Sequence, residues 1–187
     1  MVRLEDRLKR VPPKSVVILE TPSEEDPMKL VSDFLRFRQN DKGIFVSSNR
    51  STIGLAERLL VYKFDMRKLL EAGRISVVDL ASKSVGSAEM RNSICVSSPS
   101  ELSATQMAIE KAAEALGSIP GNPWLLLDSL STLLVYNSPG ALLHFLHFLI
   151  GRLRVLGFDG MIFTIQGSVE GNVLSTIRQF CDEVIRL

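Results

Sequence analysis

Six short apolar runs punctuate the chain: Val16 to Leu19, Ile44 to Val46, Ile75 to Val78, Trp124 to Leu127, Met161 to Ile165, and Val184 with Ile185. They are continuous, and several are rich in β-branched residues. A strand wetted on one side alternates apolar with polar residues. A continuous run predicts a strand covered on both faces, as in a parallel sheet.

The segments between the runs carry apolar residues at helical spacing. Met28 to Arg38 places Leu30, Val31, Phe34 and Leu35 on one face, with Pro27 suited to a first helical turn. Thr52 to Lys63 carries Ile53, Ala56, Leu59 and Leu60, with Ser51 as N-cap. Met66 to Ala72 is short and stops at Gly73. Glu101 to Leu116 reads as a helix capped by Ser100 and Gly117. Ala141 to Leu156 is strongly apolar and ends at Gly157, and Val173 to Phe180 makes a last short helix.

Strand and helix therefore alternate, which predicts βαβ units in a three-layer, doubly wound, mainly parallel α/β sheet. At 187 residues the whole chain, 1–187, reads as one domain. Residues 1–13 are either an N-terminal arm or a short helix packed on the body. The stretch from Ala81 to Pro99, rich in Ser and Gly, gives no clear element signal.

Composition narrows the function classes. Lys+Arg is 22 and Asp+Glu is 21, a formal net charge of +1, which argues against a bulk electrostatic grip on nucleic acid or an anionic membrane. The two cysteines, Cys95 and Cys181, lie too far apart for a zinc ribbon or a disulfide framework. The first residues lack an apolar signal region, and no run approaches the roughly 18 apolar residues of a membrane span. The expectation is a cytoplasmic protein.

In doubly wound sheets ligands sit outside the carboxyl ends of the strands, so the residues after each run are the candidate site. Trp124 to Leu127 is followed by Asp128 and Ser129. An apolar run ending in Asp-Ser, a Leu-rich continuation, a long helix, a Gly and a further apolar strand follow one another in that order. This order resembles the RecA superfamily, most closely its KaiC-like P-loop ATPase branch, from Val16 to Leu187. Asp128 and Ser129 then match the Walker B strand, whose Asp supports Mg²⁺ in active relatives.

The same resemblance exposes losses. The family pattern runs strand, Glu-Gly, a Pro-Gly-x-Gly-Lys-Thr loop, then helix. Glu20 keeps the Glu. Thr21, Glu24 and Asp26 stand at the loop's glycine positions, Pro27 at the Lys and Met28 at the Ser/Thr. Glycines let backbone N–H groups wrap phosphates, the Lys reaches the β/γ-phosphates and the hydroxyl binds Mg²⁺. Here Glu24, Glu25 and Asp26 are expected to put three carboxylates in the cradle, and Pro27 removes a donor. An acidic, proline-started helix N-terminus also satisfies the helix dipole internally. After the second strand the family has a carboxylate that polarises the attacking water. Asn49 and Arg50 occupy those positions, and neither serves as a base near neutral pH. Asp128 is then expected to cap Ser129 and Leu130 or to pair with a cation.

Other chemistry has weaker support. His144 and His147, the only histidines, lie three apart without a neighbouring carboxylate or Cys, so no metal site is expected. Gly167-Ser168-Val169-Glu170-Gly171 is not a nucleophile elbow. The helix from Ala141 is apolar most of the way round, which means either burial under a neighbour or a subunit interface through Phe145, Phe148 and Leu149. The loops 135–139 and 167–170 carry no Lys or Arg and one aromatic, Tyr136, a poor groove for single-stranded nucleic acid.

The resemblance thus implies a RecA/KaiC-like domain with a degenerate Walker A motif. Its expected role is a non-catalytic regulatory or scaffolding module, partnered by itself or by another RecA/KaiC-like subunit, with no cofactor. The alternatives are an ATP/Mg²⁺-binding subunit completed in trans by a partner, a DNA recombination or repair accessory paralogue, and a small-molecule sensor using the vacated cleft.

Overall fold

The computed structural model describes residues 4–187. In chain order the elements are α1 (Leu4–Leu8), β1 (Val16–Thr21), α2 (Pro27–Phe37), β2 (Lys42–Ser47), α3 (Thr52–Val61), α4 (Met66–Glu71), β3 (Ile75–Asp79), α5 (Ser82–Val85), β4 (Ser93–Cys95), α6 (Leu102–Ala115), β5 (Pro123–Asp128), α7 (Leu130–Tyr136), α8 (Pro139–Leu156), β6 (Asp159–Ile165), α9 (Gly171–Phe180) and β7 (Glu183–Arg186). The strands form one sheet in the order β4-β3-β2-β5-β6-β1-β7. Every pairing is parallel.

The continuous apolar runs follow from this topology. Along β1, Val16 and Ile18 point into one core layer with Leu125, Leu127 and Ile162. Val17 and Leu19 point into the other with Phe45, Leu126 and Phe163. The first layer is closed by α6, α7, α8 and α9, and the second by α1, α2, α3 and α4. Both layers are dry, so the period-2 pattern of a half-wet strand never develops. Each fully buried Leu or Val contributes about 1.5–3 kcal/mol relative to exposure.

The helix ends follow local chemistry. Pro27 opens α2 and Asp26 caps it. Ser51 caps α3 by accepting from Gly54 N at 3.2 Å. Ser138 caps α8, which starts two residues earlier than its periodicity predicts, at Pro139. Gly157 ends α8 in the left-handed region, φ 74°, where glycine carries no Cβ penalty.

Several expectations change. The unassigned stretch 81–99 contains α5 and the edge strand β4, so the Trp124 run is the fifth strand. Ser129 starts a helix, α7, that the continuous apolar sequence hid. Ser100 does not cap α6; Glu101 holds the N-cap position without a side-chain bond, and the Ser100 hydroxyl pairs with that of Ser98 at 2.8 Å. The C-cap of α6 is Leu116, one residue before Gly117. Residues 4–8 form a helix whose Leu4 and Leu8 are buried against the α2 layer; the part of the 1–13 expectation that concerns residues 1–3 lies outside the described residues. Among the described residues no helix is long and apolar enough to cross a membrane.

At the centre of the sheet β2 and β5 meet through Gly43 and Trp124, which are register partners. The indole is fully buried and meets Phe34 edge-on, with ring centroids 5.1 Å apart. A Cβ at Gly43 would lie 2.0 Å from Trp124 Cε2. Gly43→Ala is therefore expected to destabilise the protein by about 3 kcal/mol, the upper end for overpacking a core. Urea denaturation followed by the single tryptophan's fluorescence measures it, and an unchanged midpoint would show that the ring has room to move.

Candidate functional site

The topology reverses at β5, which returns to lie between β2 and β6. Ligands of doubly wound sheets gather at such a switch point, beyond the carboxyl ends of the strands. A cavity of about 120 Å³ occupies that position. It brings together residues remote in sequence: Thr21 at the end of β1, Asp26 to Met28 at the start of α2, Asn49 and Arg50 after β2, and Asp128 and Ser129 at and just after the end of β5. Ser131, Thr132, Phe163, Thr164 and Ile165 complete the wall.

Hydrogen bonds of Ser48, just after β2, hold the end of β5 in place beneath Asp128 and Ser129. Ser48 N donates to the Asp128 carbonyl at 2.8 Å, and the Ser48 hydroxyl donates to the same oxygen at 2.9 Å. Ser129 N donates back to Ser48 Oγ at 2.9 Å. The peptide between Asp128 and Ser129 is cis. Ser129, not Asp128, caps α7: its hydroxyl accepts from Thr132 N at 3.3 Å.

The Asp128 side chain is thereby left over. It is 6% exposed, and no donor among the described residues reaches its carboxylate. Burial pushes its carboxyl up to about 6, and the attraction of Arg50 opposes this only in part. Arg50 itself is exposed, and among the described residues it acts on Asp128 only through its charge. Of the two roles expected for Asp128, capping is not seen, and pairing with a cation is reduced to this longer-range attraction.

The start of α2 is occupied from within. Asp26 Oδ1 accepts from Met28 N at 2.9 Å, and Oδ2 accepts from the Arg58 guanidinium and the Tyr62 hydroxyl. Burial alone would raise this carboxyl, but the bonds from Tyr62, Met28 and Arg58 outweigh it and hold it below the ordinary range. The expectation of three carboxylates in one cradle is corrected. Glu24 is exposed and accepts from the Ser23 hydroxyl, while Glu25 lines a separate groove against α1. The turn from Pro22 to Asp26 splays the three side chains, so only Asp26 faces the cavity. Met28 is buried, and Thr21 is buried with its hydroxyl directed to the Thr164 carbonyl at 3.4 Å.

Two further strand-end carboxylates are fully engaged. Asp79, at the end of β3, is fully buried and accepts five hydrogen bonds. They come from Thr52 N and Oγ1 at 2.5 and 2.6 Å, Ser82 N and Oγ at 2.7 and 2.6 Å, and Ala81 N at 2.9 Å. Burial would raise its carboxyl, yet these donors hold it below the usual range. Glu20 receives Arg178 at 2.6 Å and Arg186 at 2.8 Å, which outweigh burial in the same way. Sequence reasoning passed over Asp79, although it ends an apolar run as Asp128 does. It also missed Arg58 and Tyr62.

The remaining candidates do not join the cavity. His144 and His147 are exposed, and His147 packs on the Phe180 ring. Among the described residues no group of three or more His, Cys, Asp or Glu could hold a metal ion. Phe145 and Leu149 belong to the core under α8, which corrects their assignment to an interface. Phe148, 74% exposed, is the one of the three that faces outward.

The sheet order and the layers are those of the KaiC-like RecA-type fold. Uncharacterised protein PH0321 from Pyrococcus horikoshii, solved in complex with an unknown peptide, aligns with a TM-score of 0.76 at 16% identity, over 98% of this chain and 81% of that one. KaiC-like protein PH0186 from Pyrococcus horikoshii OT3 aligns with a TM-score of 0.69 at 14% identity, over 94% of this chain and 72% of that one. Residues 17–187 match a family of unknown function, DUF7504, and the chain belongs to that family. No curated protein matches it.

Two outcomes follow from the site's electrostatics. A carboxyl whose folded pKa is raised holds its proton more tightly when folded, so stability falls as pH climbs from about 4 to about 6 and is flat above. Two units correspond to roughly 3 kcal/mol at most. Asp128→Asn is therefore expected to raise stability at pH 7.5 by about 2 kcal/mol and to flatten this slope, read from denaturant midpoints across pH. Asp26→Ala removes an N-cap and strands Arg58. A loss of about 1–2 kcal/mol is expected, and in a double-mutant cycle with Arg58→Ala the losses should be less than additive.

Proposed function

We propose that this domain is a non-catalytic KaiC-like interaction module, regulatory or scaffolding in role, in which the nucleotide position has been given up. The observation that carries the reading is the start of α2. The helix N-terminus that would meet a phosphate instead meets Asp26, which is bonded to Met28 N, Arg58 and Tyr62. The adjoining cavity, about 120 Å³, is well below the roughly 300 Å³ at which small-molecule pockets begin. No residue from Thr21 to Met28 is a glycine, and Pro27 offers no N–H. Asn49 and Arg50 stand at the mouth where a base would be needed.

The partner in this reading is a protein: a second copy, or another subunit of the same fold. The peptide bound to PH0321 supports a protein ligand for the fold, without indicating where it would dock here. A second reading, an ATP/Mg²⁺ site completed in trans by a partner, draws on one observation, the unpartnered carboxylate of Asp128 at the position of a Walker B aspartate.

Calorimetric titration with Mg-ATP, run beside light scattering for mass, tests the proposal. The expected result is no binding heat up to ~1 mM nucleotide. Micromolar binding that is lost in Asp128→Ala would overturn it.

A further inference from the structure

We infer that the cavity above Asp128 is a receptor for a primary alkylammonium group, the chemistry shared by a lysine side chain of a partner protein and by a small free amine. The inference rests on the reading that nucleotide does not occupy this position.

Four features of the cavity select that chemistry. The first is size. A cavity of about 150 Å³ accommodates a benzene-sized group, so about 120 Å³ suits five or six non-hydrogen atoms, as in butylammonium. The second is an unmatched anion: the Asp128 carboxylate is more than nine-tenths buried, lines the cavity, and accepts no hydrogen bond. A buried carboxylate without donors is costly, and a cation with N–H groups removes the cost.

The third is the distribution of the other groups. Hydroxyls of Ser129 and Thr132 line the cavity with Asp128; Ser129 Oγ accepts from Thr132 N at 3.3 Å, and with Ser129 donating in the 3.1 Å bond between the hydroxyls each oxygen keeps one acceptor lone pair. Three N–H groups of an ammonium match one carboxylate and two hydroxyls. The fourth is the apolar wall: Met28 and Phe163 offer surface to a methylene stem. A hydrated divalent cation, which keeps several waters, would gain nothing from that wall. The remaining charged groups on the lining are Asp26, already bonded to Arg58, and Arg50. Arg50 is exposed at the rim, so it competes with an incoming ammonium only through its field.

The test uses the full chain with n-butylamine as the free-amine probe and a short lysine-containing peptide as the protein-like probe. Thermal midpoints and calorimetry are recorded from pH 5 to 8.5. Binding by both probes is expected to strengthen as pH rises through about 6, where Asp128 ionises. Butanol, tetramethylammonium, Mg²⁺ alone and the Nε-acetylated peptide should leave the midpoint unchanged. Asp128→Asn should abolish binding, and Arg50→Ala should tighten it about twofold to fivefold by removing a rim charge. A tighter peptide than amine assigns the site to a partner's lysine; the reverse assigns it to a metabolite amine. Either ordering supports the inference. Absence of binding by both probes across the pH range overturns it, as does equal binding by Asp128→Asn or by the acetylated peptide. Mg-ATP binding in the same titration would instead overturn the non-nucleotide reading, whatever the amines do.

Discussion

A carboxylate delivered to the carboxyl edge of a parallel sheet sits where water is scarce and helix N-termini converge, so it must find donors or surrender its charge. Three strands of this sheet deliver one. Asp79 finds five donors at the starts of α3 and α5, and the placement of both helices over β2 and β3 depends on it. Glu20 finds two guanidiniums, from α9 and β7, which fasten the last helix and strand of the chain to β1. Asp128 finds none. One constraint thus produces two anchors and one chemically open group, and the open group is the one at the switch point.

The start of α2 obeys the same constraint from the opposite side. Unsatisfied N–H groups at a helix N-terminus attract an anion, and here the anion is part of the chain. An arriving phosphate would have to displace a cap worth about 1 kcal/mol and charge-assisted bonds worth about 1.5–3 kcal/mol each. Micromolar affinity corresponds to only about 8 kcal/mol in total. A loop without glycine could not recover the difference by wrapping its backbone round the phosphates. In the proposed reading, closure of this position to phosphate rests on competing donors and acceptors, and not on carboxylate repulsion, because Glu24 and Glu25 turn away.

Most of the fold was legible in the sequence because burial on both faces writes continuous apolar runs, and because the stripe Leu142, Phe145, Leu146, Leu149, Ile150 and Leu153 is the buried face of α8. The edge strand β4 was not legible. It has three half-buried residues and is defined by its pairing with β3 more than by its own pattern. The helix α7 was masked because Leu130, Leu133 and Leu134 continue the apolar run of β5 across a change of period. At the site, an apolar run ending in Asp marks Asp128 and marks Asp79 equally well. Which of the two is satisfied depends on Thr52 and Ser82, one of them 27 residues away, and no local pattern carries that information. Arg58 and Tyr62 reach Asp26 over 32 and 36 residues and were hidden for the same reason.

The unmatched Asp128 sets stability against function. Keeping an ionised carboxylate buried near neutral pH costs roughly 3 kcal/mol at most, a large part of a typical net stability of about 5–15 kcal/mol. An amide or an apolar residue of similar shape would remove that cost, and such stabilising substitutions are easily reached. Residues that break a local rule without local compensation mark functional sites more often than defects. On the inference drawn above, the compensation comes from outside the chain, as a group that is cationic, small and apolar along its stem. In the proposed reading, that is how this fold would act through a partner at a position it no longer offers to a nucleotide.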